Sequence, residues 1–209
     1  MLPLYFGIHC GTGIVSSAIR WEEYAPEGVG ASHISIIRPD GRLIEAWQGE
    51  GLTLLALRGK VQDVRTAAER LDADTLQLGC VLLDYEAWLA AMTFAQAQVG
   101  KSYDYLQVVR FVSRTREDRK TAGKWFCSEL AYAAAEKGGM PLHAHTAPYE
   151  VSPPLFVRST RLEYLNHAET RGEIALLPEY DRIARATMAD IRGLPATVDW
   201  QTILTPALS

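Results

Sequence analysis

The stretch that most constrains how this chain can fold is "SHISIIRPDGRLIEAW", residues 32–47. Residues 32–37 alternate as a strand does, with His33, Ser35 and Ile37 on one face. "RPDGR" then supplies turn chemistry: Pro39 and Asp40 suit a type I turn, and Gly41 suits a left-handed position. "LIEAW" follows as a second strand with Leu43, Glu45 and Trp47 on one side. Together they predict a hairpin, and its loop length decides which side chains meet. If Arg38 pairs with Arg42 around Pro39-Asp40-Gly41, Ser35 lies opposite Glu45 and His33 opposite Trp47. His33 and Glu45 are then diagonal neighbours, with Cβ atoms roughly 7 Å apart or less. A two-residue loop would send them to opposite faces. Glycine at the third loop position favours the first register.

A second stretch, "KWFCSEL" (124–130), places Cys127 at the mouth of a predicted helix. The helix runs from Cys127 to Lys137 and ends at Gly138-Gly139, with Pro141 beyond. Ala131, Ala134 and Ala135 recur behind Cys127 at helical spacing and carry little bulk, so that face can approach a sheet or another helix closely. A thiol in a helix's first turn meets free N–H groups and the positive end of the dipole, which favour a thiolate. The same N–H groups suit the oxyanion of a tetrahedral intermediate. A lone cysteine is nevertheless more often a small core residue, and His33 alone reads equally as a satisfied histidine at a sheet edge. A base oriented by a carboxylate on one element, with a thiol on another, is the pattern of a Cys-His-carboxylate site.

The remaining elements are mixed in order. "LQLGCVLL" (76–83) reads as a buried strand, with Asp84 ready to cap "YEAWLAAMTFAQAQV", a helix stopped by Gly100. The prolines of "PYEVSPPLF" argue for an extended or turned segment. Residues 173–177 read as a late strand and 179–192 as a surface helix. With no regular β-α alternation, the expected class is α+β with an antiparallel sheet, as a single domain over residues 1–209.

"SHISIIRPDGRLIEAW", "KSYDY" and "KWFCSEL", in that order, resemble the YiiX/YaeF-like group of circularly permuted NlpC-type cysteine peptidases and amidohydrolases. "SSAIRW" (16–21) and "VSPPLF" (151–156) also look like segments of that group, and the likeness covers about residues 5–156. The resemblance implies a papain-like fold: a central antiparallel sheet or partial barrel packed against the helix that carries the nucleophile. It implies Cys127 as nucleophile, His33 as base and Glu45 as the orienting carboxylate. It also allows Tyr103 or Asp104 to border a substrate groove. Trp125 and Trp21 read as either cleft wall or core. After Phe156 no likeness is seen, and with no export signal or lipid-anchor site legible, a cell-wall substrate, on which many related enzymes act, is not the expected one.

The expected activity is amide hydrolysis through an acyl-enzyme, in peptides or peptidoglycan-like fragments, with a peptide, amino-acid-containing or acyl small molecule as substrate. No metal or organic cofactor is implied. Two alternatives stay open: acyl transfer to another acceptor, including lipid- or ester-directed chemistry on the same fold, and a non-catalytic binding or structural module.

Charge and cysteine usage narrow the setting. A formal charge of -4 argues against nucleic acid as partner. Three cysteines, Cys10, Cys80 and Cys127, make no disulfide framework and point to a reducing compartment. With neither a secretory leader nor an integral membrane segment legible, a cytoplasmic location is expected. Cys80 reads as core, and Cys10 as structural or incidental. "HAH" (143–145) with Glu150 nearby has metal-compatible spacing, but it falls short of the three or four convergent ligands a zinc site needs.

Overall fold

A computed structural model describes residues 1–10, 31–48, 59–71, 76–107, 110, 123–165 and 169–177. Among the described residues, eight strands form one sheet: β1 (Leu2–His9), β2 (His33–Ile37), β3 (Leu43–Trp47), β4 (Lys60–Gln62), β5 (Leu76–Leu83), β6 (Ser102–Tyr103), β7 (Lys124–Trp125) and β8 (Glu163–Tyr164). Their order is β7-β6-β4-β3-β2-β1-β5-β8. Among the described residues, α1 (Ala67–Leu71), α2 (Tyr85–Gln96), α3 (Cys127–Lys137), α4 (Pro153–Val157) and α5 (169–177) accompany them, with a further helical turn at 105–107. The class is α+β, as expected. The sheet is an open, curled half-barrel, and it is mixed rather than purely antiparallel because β6 and β7 run parallel.

The hairpin adopts the register its loop demands. Arg38 N–H donates to the Arg42 carbonyl (2.8 Å), and Gly41 N–H donates to the Arg38 carbonyl (2.9 Å). Gly41 has φ +79°, the left-handed value that closes this turn. Ile36 therefore pairs with Ile44 and Ile37 with Leu43. The buried Arg38 guanidinium reaches Asp40 (2.7 Å), Asp63 (3.1 Å) and Gln96 (3.2 Å), tying the turn to the segment after β4 and to the end of α2.

Strand periodicity sorts residues onto two faces. One carries Leu4, Phe6, Ile8, Ile34, Ile36, Ile44, Ala46 and Val61, and it shares the main core with α2 and α3. On the other, Cys80, Tyr5, Ile37 and Leu43 line up across β5, β1, β2 and β3. They form a smaller core closed by Ile174 and Leu177 of α5. The next rows on that face are polar: Gly7 stands beside Ser35, Glu45 beside Gln62, and His9 beside His33.

Three expectations are corrected here. The segment 173–177 is helical, within α5; Thr170, Ile174 and Leu177 are buried at helical spacing, and a five-residue window cannot separate that pattern from a buried strand. "PYEVSPPLF" contains a 3₁₀ turn (Pro148–Glu150) and then α4, because Pro153 and Pro154 sit in a first turn, where the missing N–H is not needed. The helix after Asp84 ends at Gln96, and turns carry the chain from there to Gly100. The surface helix expected over 179–192 lies outside the described residues.

Among the described residues, no helix is long and apolar enough to cross a membrane.

Candidate active site

The thiol is placed by the elements on either side of it. β7 pairs with β6, Asp104 N–H closes onto the Trp125 carbonyl (2.9 Å), and Phe126 stays extended before the helix opens at Cys127. Glu129 accepts the Phe126 N–H at 3.3 Å and so caps the helix start with a carboxylate. Ser128 Oγ donates to the Val151 carbonyl (2.5 Å), anchoring the first turn to the segment before α4. Every residue of α3 from Cys127 to Ala135 is buried, so a helix of small side chains is what this position demands. At its end a Cβ on Gly138 would lie 2.9 Å from the Ala87 carbonyl oxygen, which shows how closely α2 approaches.

His33 opens β2, so thiol and imidazole meet where their two elements begin. His33 Nε2 bonds Glu45 Oε2 at 2.8 Å, and the Cys127 thiol is a hydrogen-bonding and electrostatic partner of the same ring. With Nε2 given to the carboxylate, Nδ1 is the nitrogen left for sulfur. The structure thus brings together the three residues that the hairpin register and the helix mouth singled out.

The electrostatics of the pair are reciprocal. Burial pulls the His33 imidazole down, but its charge interactions and hydrogen bonds with Cys127 and then Glu45 outweigh it and raise its pKa from 6.5 to about 9. Burial pushes Glu45 up, but the bond and charge of His33, with Arg65 and His9 behind them, bring it down to about 2. Glu45 is fully buried and His33 13% exposed, so water does little to screen this pair.

The flanking candidates divide. Tyr103 is buried beside Phe126 (ring centroids 5.9 Å). Burial, followed by the Cys127 charge, keeps its hydroxyl protonated well above the usual range. It is a neutral donor near the thiol. Asp104 is occupied otherwise: its Oδ1 accepts the Leu106 (3.0 Å) and Gln107 (3.2 Å) N–H groups, capping a helical turn. Trp125 packs edge-on to Phe94 (5.6 Å) and donates to Gln98 Oε1 (3.1 Å), a core placement and not a cleft wall. Trp21 lies outside the described residues.

Three neighbours of the site, Arg65, Gln62 and His9, were not picked out from the sequence, whereas Ser35 was already placed on the His33 face by the hairpin register. Arg65 and Gln62 hold Glu45, while His9 and Ser35 bond each other at 2.8 Å beside His33. Recognising β1 and β4 would have revealed them, but β1 is buried on both faces and β4 has three residues, so neither shows a clean alternation. His143 of the "HAH" run bonds the Leu155 carbonyl (2.8 Å) and stacks on Tyr132. Among the described residues no group of three or more His, Cys, Asp or Glu is arranged to hold a metal. Cys80 is buried in the smaller core, and burial, then Glu163 and Glu173, push its thiol up to about 11. Cys10 is half-buried at the end of β1.

No family model matches the chain, and no curated protein matches it.

Proposed function

We propose that the protein is a thiol hydrolase of the circularly permuted NlpC type, on a papain-like fold, cleaving amide bonds in peptides or peptidoglycan-like fragments. One observation carries this reading: a single imidazole is held by a buried carboxylate at 2.8 Å and touches the thiol that opens a helix. The strand bearing His33 precedes the helix bearing Cys127, the chain order that the resemblance requires. In this reading Cys127 Sγ attacks the amide carbonyl while His33 carries the proton on Nδ1. Helix N-terminal N–H groups, with the Tyr103 hydroxyl as a further donor, receive the oxyanion. As the tetrahedral intermediate collapses, the C–N bond breaks, and His33 gives its proton to the leaving amine. A water then loses a proton to His33, attacks the thioester, and releases the acid and the thiol.

The test compares the three thiols. Cys127 and Cys80 are similarly buried, 2% and 6% exposed, so access does not distinguish them and their neighbours do. Iodoacetamide at neutral pH is expected to label Cys127 at least about tenfold faster than Cys80 or Cys10, read by peptide mass. Equal rates would remove the activated thiol and the reading with it. On a panel of amides with and without an alcohol acceptor, net hydrolysis abolished in C127S is the expected outcome; transfer without hydrolysis would replace hydrolase by acyltransferase.

A further inference from the structure

The surroundings of Glu45 hold more than a Cys-His-Glu site requires. Its two oxygens are divided between partners. Oε2 receives His33, while Oε1 receives Arg65 Nε (2.6 Å) and Gln62 Nε2 (3.3 Å), with Arg65 Nη2 at 2.5 Å. The same guanidinium lies over the Trp47 ring, Cζ 3.8 Å from its centroid, and that ring meets His33 edge to face at 5.5 Å. Arginine and imidazole therefore grip one carboxylate from two sides and share an aromatic wall.

Charge counting gives the arrangement a purpose. A thiolate, an imidazolium and a carboxylate sum to one negative charge, and an uncompensated charge in a buried site is costly. We propose that Arg65 is a positioning residue of the thiol site, whose guanidinium lets Glu45 and the Cys127 thiolate be ionised together. This rests on the thiol-hydrolase reading. The four groups then alternate in sign and sum to zero.

Other titratable groups face the same place. His9 comes from β1, its ring 5.2 Å from that of His33 and its Nε2 on Ser35. Tyr103 comes from β6 and stays neutral. Glu69, from α1, interacts with Arg65 but is fully exposed, so water screens it. His9 also helps to hold Glu45 ionised, less than Arg65 does, but its imidazolium would repel that of His33, so the guanidinium is the cation that compensates at every pH.

The experiment uses Arg65→Gln and Arg65→Lys in the full chain, with circular dichroism as a check on folding. Arg65→Met, which keeps an apolar stem against Trp47, repeats the charge-removing arm. Two quantities are followed against pH: iodoacetamide labelling of Cys127 by mass, and the His33 midpoint by NMR of labelled histidine. Losing a cation disfavours the thiolate and favours the imidazolium. In R65Q and R65M, both the onset of labelling and the His33 midpoint should therefore rise, by roughly one pH unit. R65K should restore both, at a lower labelling rate, because an ammonium can neither fork onto the carboxylate nor stack in the same way. Profiles unmoved in R65Q and R65M, or moved downward, overturn the proposal, since packing on Trp47 alone leaves them in place. The two failures are separable: selectivity among wild-type cysteines judges the hydrolase reading, and the shift between wild type and variants judges Arg65.

Discussion

Glu45 shows how much one side chain can be asked to do. It is fully buried, it orients His33, and it is the anchor for Arg65 and Gln62. Glu45→Gln keeps the shape and removes the charge. The interactions with Cys127 that raise His33 remain, as does the burial that lowers it, but the bond and charge that Glu45 adds are weakened. We expect the His33 midpoint in E45Q to fall from about 9 toward the ordinary 6.5, measured by NMR titration. The same variant leaves Arg65 facing a neutral amide, and denaturant unfolding should show a loss of about 2 kcal/mol, the range for a hydrogen bond to a charged group. An unchanged His33 midpoint would mean that the thiol alone holds the imidazolium.

Elements set how closely the site residues approach one another. Gly41 closes the hairpin at φ +79°, where a Cβ is strained. Gly41→Ala should cost about 1–2 kcal/mol in chemical unfolding, and Gly41→Asn clearly less, since asparagine tolerates this region. Gly59 is constrained differently. A Cβ there would stand 2.6 Å from the Tyr105 hydroxyl, 2.7 Å from the Trp47 carbonyl oxygen and 2.7 Å from Tyr103 Cβ. Tyr105 is pinned in turn, accepting the Gly59 N–H and donating to the Gln48 carbonyl, so it has little room to yield. Gly59→Ala should lower stability by about 1–3 kcal/mol and slow Cys127 labelling, because the backbone shift displaces both Trp47 and Tyr103. Loss of stability with labelling untouched would show that this edge of the sheet does not reach the thiol.

At the scale of the whole molecule, the site's ion pairs make stability depend on pH in a defined window. Glu45 lies near 2 in the fold against an ordinary 4.5, so its contribution is present above about 4.5 and lost as pH falls toward 2. His33 lies near 9 against 6.5, so its contribution is complete below 6.5 and lost as pH rises through 9. The Tm gap between wild type and E45Q should therefore be widest between about pH 4.5 and 6.5 and should shrink on both sides, as read by thermal unfolding across pH. A gap constant with pH would mean that the variant acts through packing instead of charge.

Much of this site was legible because its parts are local. A three-residue loop closed by Gly41 settles the register of residues 33–47, and register alone puts His33 and Glu45 on one face. The glycine stop and the apolar run delimited the cysteine helix, and Asp84 announced α2, earlier in the chain, by its capping bond to Ala87 N–H. Turn, cap and helix periodicity act over two to four residues, so the chain states them directly. The meeting of Cys127 with His33, the clamp of Arg65 on Glu45, the parallel pairing of β6 with β7 and the removal of Trp125 into the core all join distant segments. Strands of two or three residues, or strands buried on both faces, leave no periodic mark. Tertiary packing alone decided those contacts, because the interactions that select them exist only once the sheet has formed.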